Sequence, residues 1–256
     1  MKHSVRVLEH QLLVYRRTWR GGLFTTFLAP VLFLLAMGLG LGTCVDQSAA
    51  GGMGGVSYLV FLAPGLLASQ AMQTAAGEAM YPIMSAITWN RTFQSMIATP
   101  ISAFHVVTGT SLWMIVRLAI VSTAFVIVMV IFRATDIPRG IAMIPVAILT
   151  GLAFALPIMA FTVTRKGDAS FPAINRFIIT PLFIFSGVFF PVTELPAFLQ
   201  PIAYATPLWN GVSLARGIAI GTIDPPLAAA NLAVILAWCA AGLYAAFHTF
   251  PRRLVQ

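Results

Sequence analysis

The sequence predicts an all-α integral membrane protein with six transmembrane helices, an N-terminal amphipathic helix in the membrane interface and a re-entrant helical hairpin between spans five and six. Hydrophobic residues make up 59% of the 256 residues and charged residues only 9%, against roughly a quarter charged in an ordinary soluble domain. Apolar runs of about 20 residues, the length that crosses a bilayer as a helix, recur along the chain. After the fifth run, prolines and glycines divide the chain into segments too short to cross.

The distribution of basic residues predicts the orientation. The formal net charge is +8, and the basic residues lie beside apolar runs, so the positive-inside rule explains them better than a nucleic-acid partner does. On this topology Arg133, Arg139 and Arg216 lie on the outer side. Both termini are then cytoplasmic. The residues assigned to the cytoplasmic side are Lys2, Arg6, Arg16, Arg17, Arg20, Arg91, Arg165, Lys166, Arg176, Arg252 and Arg253.

Residues 3–20 are too polar to span a membrane, but their apolar residues recur at steps of three and four. This spacing predicts an amphipathic helix that lies in the membrane interface. The alternative is a disordered basic tail. The predicted apolar stripe consists of Val5, Leu8, Leu12, Tyr15 and Trp19.

Six apolar runs predict the spans, and residues 43–55 between the first two runs, with Asp46 and no basic residue, are expected to form an outer loop. Gln70, Gln73 and Thr74 near the inner end of the second span need polar partners there. The predicted spans are 23–41, 56–76, 106–131, 141–163, 177–190 and 227–247.

Arg117 lies deep within the third predicted span. A cation at that depth is costly, by about 2.5–3.5 kcal/mol on insertion scales, unless it pairs, faces water or extends to the interface. Glu78 is the acidic residue near the inner end of a neighbouring span and is therefore the expected partner. Two interpretations remain open, a structural ion pair and a cation that lines a pathway.

Residues 77–102 lie between the second and third spans and suit neither a span nor a flexible loop. Pro82 and Pro100 bracket a helix-length segment that carries Arg91, which predicts a helix at 83–99 on the cytoplasmic side. A plain interfacial helix is the alternative to a functional one.

The segment Pro181–Gly221 is expected to enter the membrane without crossing it. Gly187 and Pro191 interrupt the helix near the outer end of span five, and further prolines up to Pro207 follow. Non-helical backbone at membrane depth must be buried in protein or line an aqueous cavity, because hydrocarbon provides no hydrogen-bond partner. We therefore predict a re-entrant hairpin at 193–221, with Glu194 near the outer surface and Pro207 near the turn.

Several chemistries have no motif in this chain. There is no GxxxxGK[ST] motif for ATP, the four histidines lack metal-ligand spacing, and no group of acid, base or nucleophile converges into a catalytic site. We therefore expect no catalytic residue, no metal and no cofactor bound by this chain. A secondary transporter of drugs or lipids, or a membrane-embedded enzyme, remains an alternative to an ATP-driven system.

Within Pro181–Gly221, the motifs SGVFFPV, LP, PLWNG, ARG and a final glycine follow one another in a spacing that resembles the permease signature of ABC-2 type exporters. The resemblance is to the branch with the NodJ-like and daunorubicin-resistance permeases. The segment RTFQSMIATPIS is similar to the family's pattern between spans two and three. The resemblance implies the transmembrane half of an exporter in the cytoplasmic membrane of a bacterium.

The same resemblance implies the partners and the substrate class. A dimer of cytoplasmic ABC ATPase subunits would bind ATP-Mg and hydrolyse it, and a second permease, either a copy of this chain or a paralogue, would complete the pathway through the membrane lipid. The aromatic residues of 183–209 suit an amphipathic lipid, a glycolipid or a drug, as in antibiotic resistance, although such residues are also common membrane anchors.

Two sets of residues receive roles by resemblance. The first couples the chain to the ATPase through the helix at 83–99, and the second caps the outer exit of the pathway. A rigid plug is the alternative for the second set. The coupling set is Arg91, Thr92, Phe93, Met96 and Pro100, and the exit-gate set is Gly187, Phe189, Phe190, Pro191, Glu194, Pro207, Trp209 and Arg216.

Overall fold

The computed structural model describes residues 2–41 and 56–254, without the side chains of 2, 19–27, 29, 38, 39 and 41. The predicted outer loop 43–55 with Asp46, and the side chain of Trp19, lie outside the described residues. The described α-helices are α1 (Lys2–Phe33), α2 (Tyr58–Met84), α3 (Thr92–Ile97), α4 (Ala103–Ile131), α5 (Ile137–Val163), α6 (Phe171–Ile174), α7 (Thr180–Phe185), α8 (Gln200–Ala205), α9 (Pro207–Ile220) and α10 (Pro225–Leu254).

Three π-helical stretches extend or join these helices. Leu34–Leu41 continues α1, Ser85–Trp89 continues α2, and Asn175–Ile179 joins α6 to α7. Short 3₁₀ helices lie at Asp168–Ser170 and Val192–Glu194. The all-helical architecture predicted from the hydropathy pattern is therefore confirmed for the described residues.

Four of the described helices are long and apolar enough to cross a membrane, namely Tyr58–Trp89, Ala103–Ile131, Ile137–Val163 and Pro225–Leu254. They correspond to the second, third, fourth and sixth predicted spans. The predicted spans 23–41 and 177–190 are not among these four, so the count of six stays a prediction. In the region of the predicted span 177–190, the helical run begins at Phe171 and ends at Phe185. At 1.5 Å per residue this run is about 22 Å long, shorter than the roughly 30 Å of a bilayer's hydrocarbon core.

Helix α1 runs without a break from the predicted interfacial helix 3–20 into the predicted span 23–41, so no change of secondary structure marks the boundary, and the assignment of the two segments to interface and bilayer stays a prediction. Gly21 and Gly22 lie at the expected boundary. Each glycine costs only about 1 kcal/mol relative to alanine inside a helix, and the helix keeps the backbone hydrogen bonds that a break would lose.

The buried face of the first turns of α1 is not the predicted apolar stripe. Ser4 and Val7 are buried against α4, and Ser4 Oγ lies 2.7 Å from Thr108 Oγ1. Val5 and Leu12 of the predicted stripe are 44% and 39% exposed. The periodicity identified a helix correctly, but in a membrane protein an apolar stripe can face lipid rather than the protein core.

Helix α5 packs against four other helices, α2, α4, α9 and α10, while α1 packs on α4. Helix α2 is the most buried of the four candidate spans and α10 the least. Helices α5 and α10 approach each other closely at Gly242, where an added Cβ would lie 2.6 Å from the backbone nitrogen of Pro157. Small residues permit such contacts between helices in membranes.

We expect Gly242→Ala and Gly77→Ala to change stability in opposite directions. Gly242→Ala should destabilise by about 1–3 kcal/mol, because the new methyl group meets backbone that cannot move aside. A Cβ added at Gly77 in α2 would meet no described atom of another helix within 4 Å, so alanine there should stabilise by about 0.5–1 kcal/mol through helix propensity. Thermal unfolding in detergent measures both, and equal shifts would contradict the close contact.

The predicted helix at 83–99 is also corrected. Pro82 lies inside α2, whose helical run continues to Trp89, and the separate helix α3 is limited to Thr92–Ile97. Between them Arg91 adopts φ 50° and ψ 29°. A proline is tolerated within a membrane helix where neighbouring helices and local π-helical adjustments satisfy the freed carbonyl groups, so Pro82 does not mark a boundary here.

Candidate functional site

A polar cavity of about 560 Å³ lies inside the bundle, between α1, α2, α4 and α7. One face of α2 supplies most of its wall, because residues at steps of three and four lie on the same side of a helix. The α2 residues that line it are Leu66, Ser69, Gln70, Gln73, Thr74, Gly77, Glu78, Tyr81 and Pro82. The remaining wall consists of Pro30, Phe33, Arg117, Val121, Phe125 and Phe183.

Arg117 and Glu78 form an ion pair in this wall. Arg117 Nε lies 2.9 Å from Glu78 Oε1, and the two side chains are 14% and 21% exposed. Arg117 Nη1 also donates to the hydroxyl of Tyr15 at 3.1 Å, and its Cζ lies 5.0 Å from the centre of the Tyr15 ring. The positive charge of Arg117, which is costly at membrane depth, is therefore neutralised by Glu78 of α2 and hydrogen-bonded by Tyr15 of α1.

The ion pair lies between two cavities. A second, partly open cavity of about 380 Å³ lies between α1, α2, α3 and α4, and Glu78, Pro82 and Arg117 line both cavities. The ion pair thus forms part of the wall that the two cavities share.

The amide and hydroxyl groups of α2 differ in how they are satisfied. Ser69 Oγ donates to the Leu66 carbonyl oxygen at 3.0 Å, and Gln70 Nε2 lies 3.5 Å from Thr74 Oγ1. Gln73 is exposed to the cavity and makes no hydrogen bond within the described part of the chain. Its amide can therefore donate to and accept from a molecule in the cavity.

At the opposite end of α2, the chain leaves regular helix where the sequence predicted. Helix α7 ends at Phe185, and Gly187 adopts φ +77°, a conformation that glycine reaches at little cost. Arg216 of α9 donates from Nη2 to the Gly187 carbonyl oxygen at 2.8 Å and from Nε to the Phe61 carbonyl oxygen at 3.2 Å. Its Cζ lies 3.7 Å from the centre of the Phe61 ring.

Other side chains satisfy the rest of this irregular backbone. Gln200 Nε2 donates to the Leu195 carbonyl oxygen at 2.9 Å, and Trp238 Nε1 donates to the Ala205 carbonyl oxygen at 3.2 Å. Asn210 Nδ2 bridges two further carbonyl oxygens, those of Tyr204 at 2.9 Å and Thr206 at 2.7 Å. Side-chain donors thus replace the helix hydrogen bonds that the prolines and glycines remove, as burial in a membrane protein requires.

The predicted exit-gate residues all lie in or beside this irregular segment. Phe189, Phe190, Pro191 and Trp209 are half-buried, and Glu194 is exposed. Pro207 is the first residue of α9, directly after the break at Thr206 between α8 and α9. The turn expected near Pro207 is therefore a break between two helices at residue 206.

The predicted coupling residues are not all accessible. Arg91 and Pro100 are exposed, whereas Thr92 and Met96 are half-buried. Phe93 is only 1% exposed, and its ring lies 6.1 Å from that of Phe250. Phe93 therefore anchors α3 to α10 and cannot act as an exposed apolar knob on a partner, because the short helix turns its aromatic residue toward the bundle.

Sequence reasoning missed two contributions. Tyr15 was assigned to an interfacial stripe, and only the packing of α1 on α4 brings it to Arg117. Arg139 was counted as an outer-loop charge, but its Nη1 donates to the Ala219 carbonyl oxygen at 3.0 Å and thereby caps the C-terminus of α9. Arg139 lies near the start of α5, far along the chain from α9, so the sequence offered no local signal for this contact.

Comparisons with known proteins agree over most of the chain. Residues 5–220 match the family model described as ABC-2 type transporter. Nodulation protein J of Rhizobium leguminosarum bv. viciae is 32% identical over 217 residues, or 82% of each chain, and that of Neorhizobium galegae is 27% identical over 98% of this chain and 94% of its own. The inner membrane transport permease YadH of Escherichia coli K12 is 23% identical over 83% of this chain and 81% of its own. These matches confirm the resemblance predicted from 181–221.

Proposed function

Because the chain belongs to the ABC-2 type transporter family, we propose that it is the transmembrane permease subunit of an ATP-binding cassette exporter. A separate cytoplasmic ATPase dimer binds and hydrolyses ATP-Mg, and this chain provides the path through the membrane. The relatives are named as transport permeases or as nodulation protein J, which supports a transporter rather than an enzyme. A second permease, a copy or a paralogue, provides the other half of the path.

The observation that carries this proposal is the polar cavity on α2. Polar groups inside membrane bundles are expensive and mark substrate or ion pathways, and here the amide and hydroxyl groups of one helix face share a 560 Å³ space with a neutralised ion pair. Apolar residues Phe33, Phe125 and Phe183 line the same space. A wall that is polar on one side and aromatic on the other suits an amphipathic lipid, a glycolipid or a drug-like molecule.

The charges at one end of the bundle support an orientation in the membrane. Phe93 of α3 contacts Phe250 near the end of α10, so Arg91, Arg252 and Arg253 lie at one end. We assign this end to the cytoplasm by the positive-inside rule, which places both termini there. The segment 193–221, with α8 and α9, then forms the re-entrant element at the outer end, and substrate leaves beside it.

The cavity itself can be tested with the double variant Gln70→Leu/Gln73→Leu. Two lost hydrogen-bonding side chains should weaken substrate binding by about 1 kcal/mol each, or roughly tenfold or more together. The measurement is the concentration at which lipid or drug substrates stimulate the ATPase of the reconstituted complex. Thr249→Val, which removes a hydroxyl from α10 outside the cavity, is the control and should leave that concentration unchanged.

Association with an ATPase tests the proposal as a whole. The chain should co-purify with an ATP-binding subunit encoded beside it, and the cavity variant and its control should both retain that association because the cavity lies inside the bundle. A permease that binds no such subunit in detergent or in lipid nanodiscs would contradict the proposal. Equal stimulation of the wild type and the Gln70/Gln73 variant would reject the cavity as the substrate site.

A further inference from the structure

A third cavity, of about 400 Å³, lies where α3 meets the end of α10 and is separate from the polar cavity. We call it the Arg91–Arg253 pocket. Three of its residues come from the helical run of α2 and the turn after it, one from α3 and two from the end of α10. They are Ile87, Thr88, Arg91, Gln94, Arg253 and Leu254.

The pocket carries two positive charges and no negative one. Arg91 and Arg253 are both exposed, no acidic residue lines the pocket, and neither arginine forms an ion pair within the described residues, where Arg117 and Glu78 are the pair found. Two uncompensated guanidinium groups around one concave space attract a carboxylate or a phosphate.

The backbone at Arg91 supports a recognition role. Its φ of 50° is a left-handed conformation, which is uncommon for residues other than glycine, asparagine and aspartate and costs energy. Strain of this kind persists where the surroundings hold it, and it concentrates at binding sites. Here the Arg91 carbonyl oxygen also accepts the Ser95 backbone N–H at 3.0 Å, which ties the strained turn to α3.

Gln94 indicates what kind of molecule completes the pocket. Its Nε2 donates to the Ile87 carbonyl oxygen at 2.7 Å, while its Oε1 is buried and has no hydrogen-bond partner among the described residues. A polypeptide segment with an acidic side chain supplies a carboxylate for the arginines, and its backbone N–H groups can donate to Oε1 once the Gln94 side chain turns outward. A phosphodiester group, as in a lipid headgroup, offers acceptors only.

From these observations we infer that the end of α10 forms half of the docking site for the ATPase, and that the Arg91–Arg253 pocket accepts an acidic side chain of that subunit. The inference rests on the proposed function, and it adds the last helix to the contact that the family resemblance assigns to the segment around α3. Phe93 and Phe250 hold the two halves together.

The test uses the full chain in phosphatidylcholine nanodiscs, titrated with its ATPase subunit at low and high ionic strength. Arg253→Gln, and Arg91→Asn, which removes the charge but tolerates the left-handed backbone, should each weaken binding about five- to tenfold at low ionic strength. Arg252→Gln is the matched control. It removes the neighbouring charge, which does not line the pocket, and should change the affinity less than about twofold.

The outcomes separate this inference from the proposed function. If the wild-type chain binds no ATPase, the proposed function fails. If the wild type binds and Arg253→Gln binds equally well, or if Arg252→Gln is equally impaired, only the pocket inference is overturned. A difference between Arg253→Gln and wild type that appears only when phosphatidylglycerol is present would assign the pocket to lipid headgroups and overturn it too. Restoration of Arg253→Glu binding by an acidic-to-arginine change on the ATPase would identify the partner residue.

Discussion

Glu78→Leu is expected to destabilise the protein strongly, while the double variant Glu78→Leu/Arg117→Leu is expected to recover most of the loss. Removal of one partner from a largely buried ion pair costs about 3–5 kcal/mol, because the other charge is left uncompensated. Arg117 would keep its hydrogen bond to Tyr15, but a guanidinium remains charged at any accessible pH. Replacement of both charges by apolar residues is often neutral or stabilising.

Arg117→Leu alone should fall between these two variants. It leaves Glu78 without its partner, but a carboxyl group can take up a proton and become neutral, whereas a guanidinium cannot. The expected order of stability is therefore the double variant first, Arg117→Leu second and Glu78→Leu last. Thermal unfolding in detergent measures this order, with a decrease of roughly 10 °C expected for Glu78→Leu if each kcal/mol corresponds to about 2–4 °C.

The double variant also distinguishes the two interpretations of Arg117. A structural ion pair predicts that a stable double variant still transports, whereas a pathway-lining cation predicts a stable protein that does not. Tyr15→Phe is a milder control, since it removes the hydroxyl at 3.1 Å from Arg117 Nη1 and keeps the ring beside it. Glu78→Leu with wild-type stability would show that the pair is unimportant for the fold.

Arg216→Leu is expected to loosen the irregular segment between α7 and α9 and to abolish transport. The guanidinium hydrogen-bonds the carbonyl oxygens of Gly187 and Phe61. The Gly187 carbonyl lies outside any helix, and a buried acceptor left unsatisfied costs about 1–3 kcal/mol. Arg216→Lys should be intermediate, because an ammonium group lacks the planar set of donors that reaches two carbonyl groups from different directions.

Cysteine labelling measures this loosening. A cysteine at the half-buried position 190 should react faster with a membrane-impermeant maleimide in Arg216→Leu than in the wild type, and the thermal midpoint should fall. Arg133→Asn is the matched control. It removes an exposed guanidinium outside the segment and places asparagine, which tolerates positive φ, where the backbone has φ 55°. Unchanged labelling and transport in Arg216→Leu would reject the positioning role.

Part of the candidate site could be predicted from the sequence, because the residue types that indicate it act on the chain locally. A glycine at 187 followed by a proline at 191 disfavours continued helix through local backbone preference, so the break after Phe185 was expected. Arg117 was identified as an interior residue because a charge in the middle of an apolar run is costly anywhere in a bilayer. The boundary at Pro82 failed for the opposite reason, since neighbouring helices satisfied the backbone that the proline left free.

By itself, the sequence determined that this chain is a helical membrane protein of the ABC-2 type transporter family, where its long apolar helices lie and where one of them breaks. These properties depend on hydropathy and backbone preference over a few turns of chain. Only the tertiary structure decided which side chains meet. Tyr15 reaches Arg117 across 102 residues and Arg216 reaches the Phe61 carbonyl across 155, because such contacts depend on how each helix is rotated about its own axis and which neighbour it crosses.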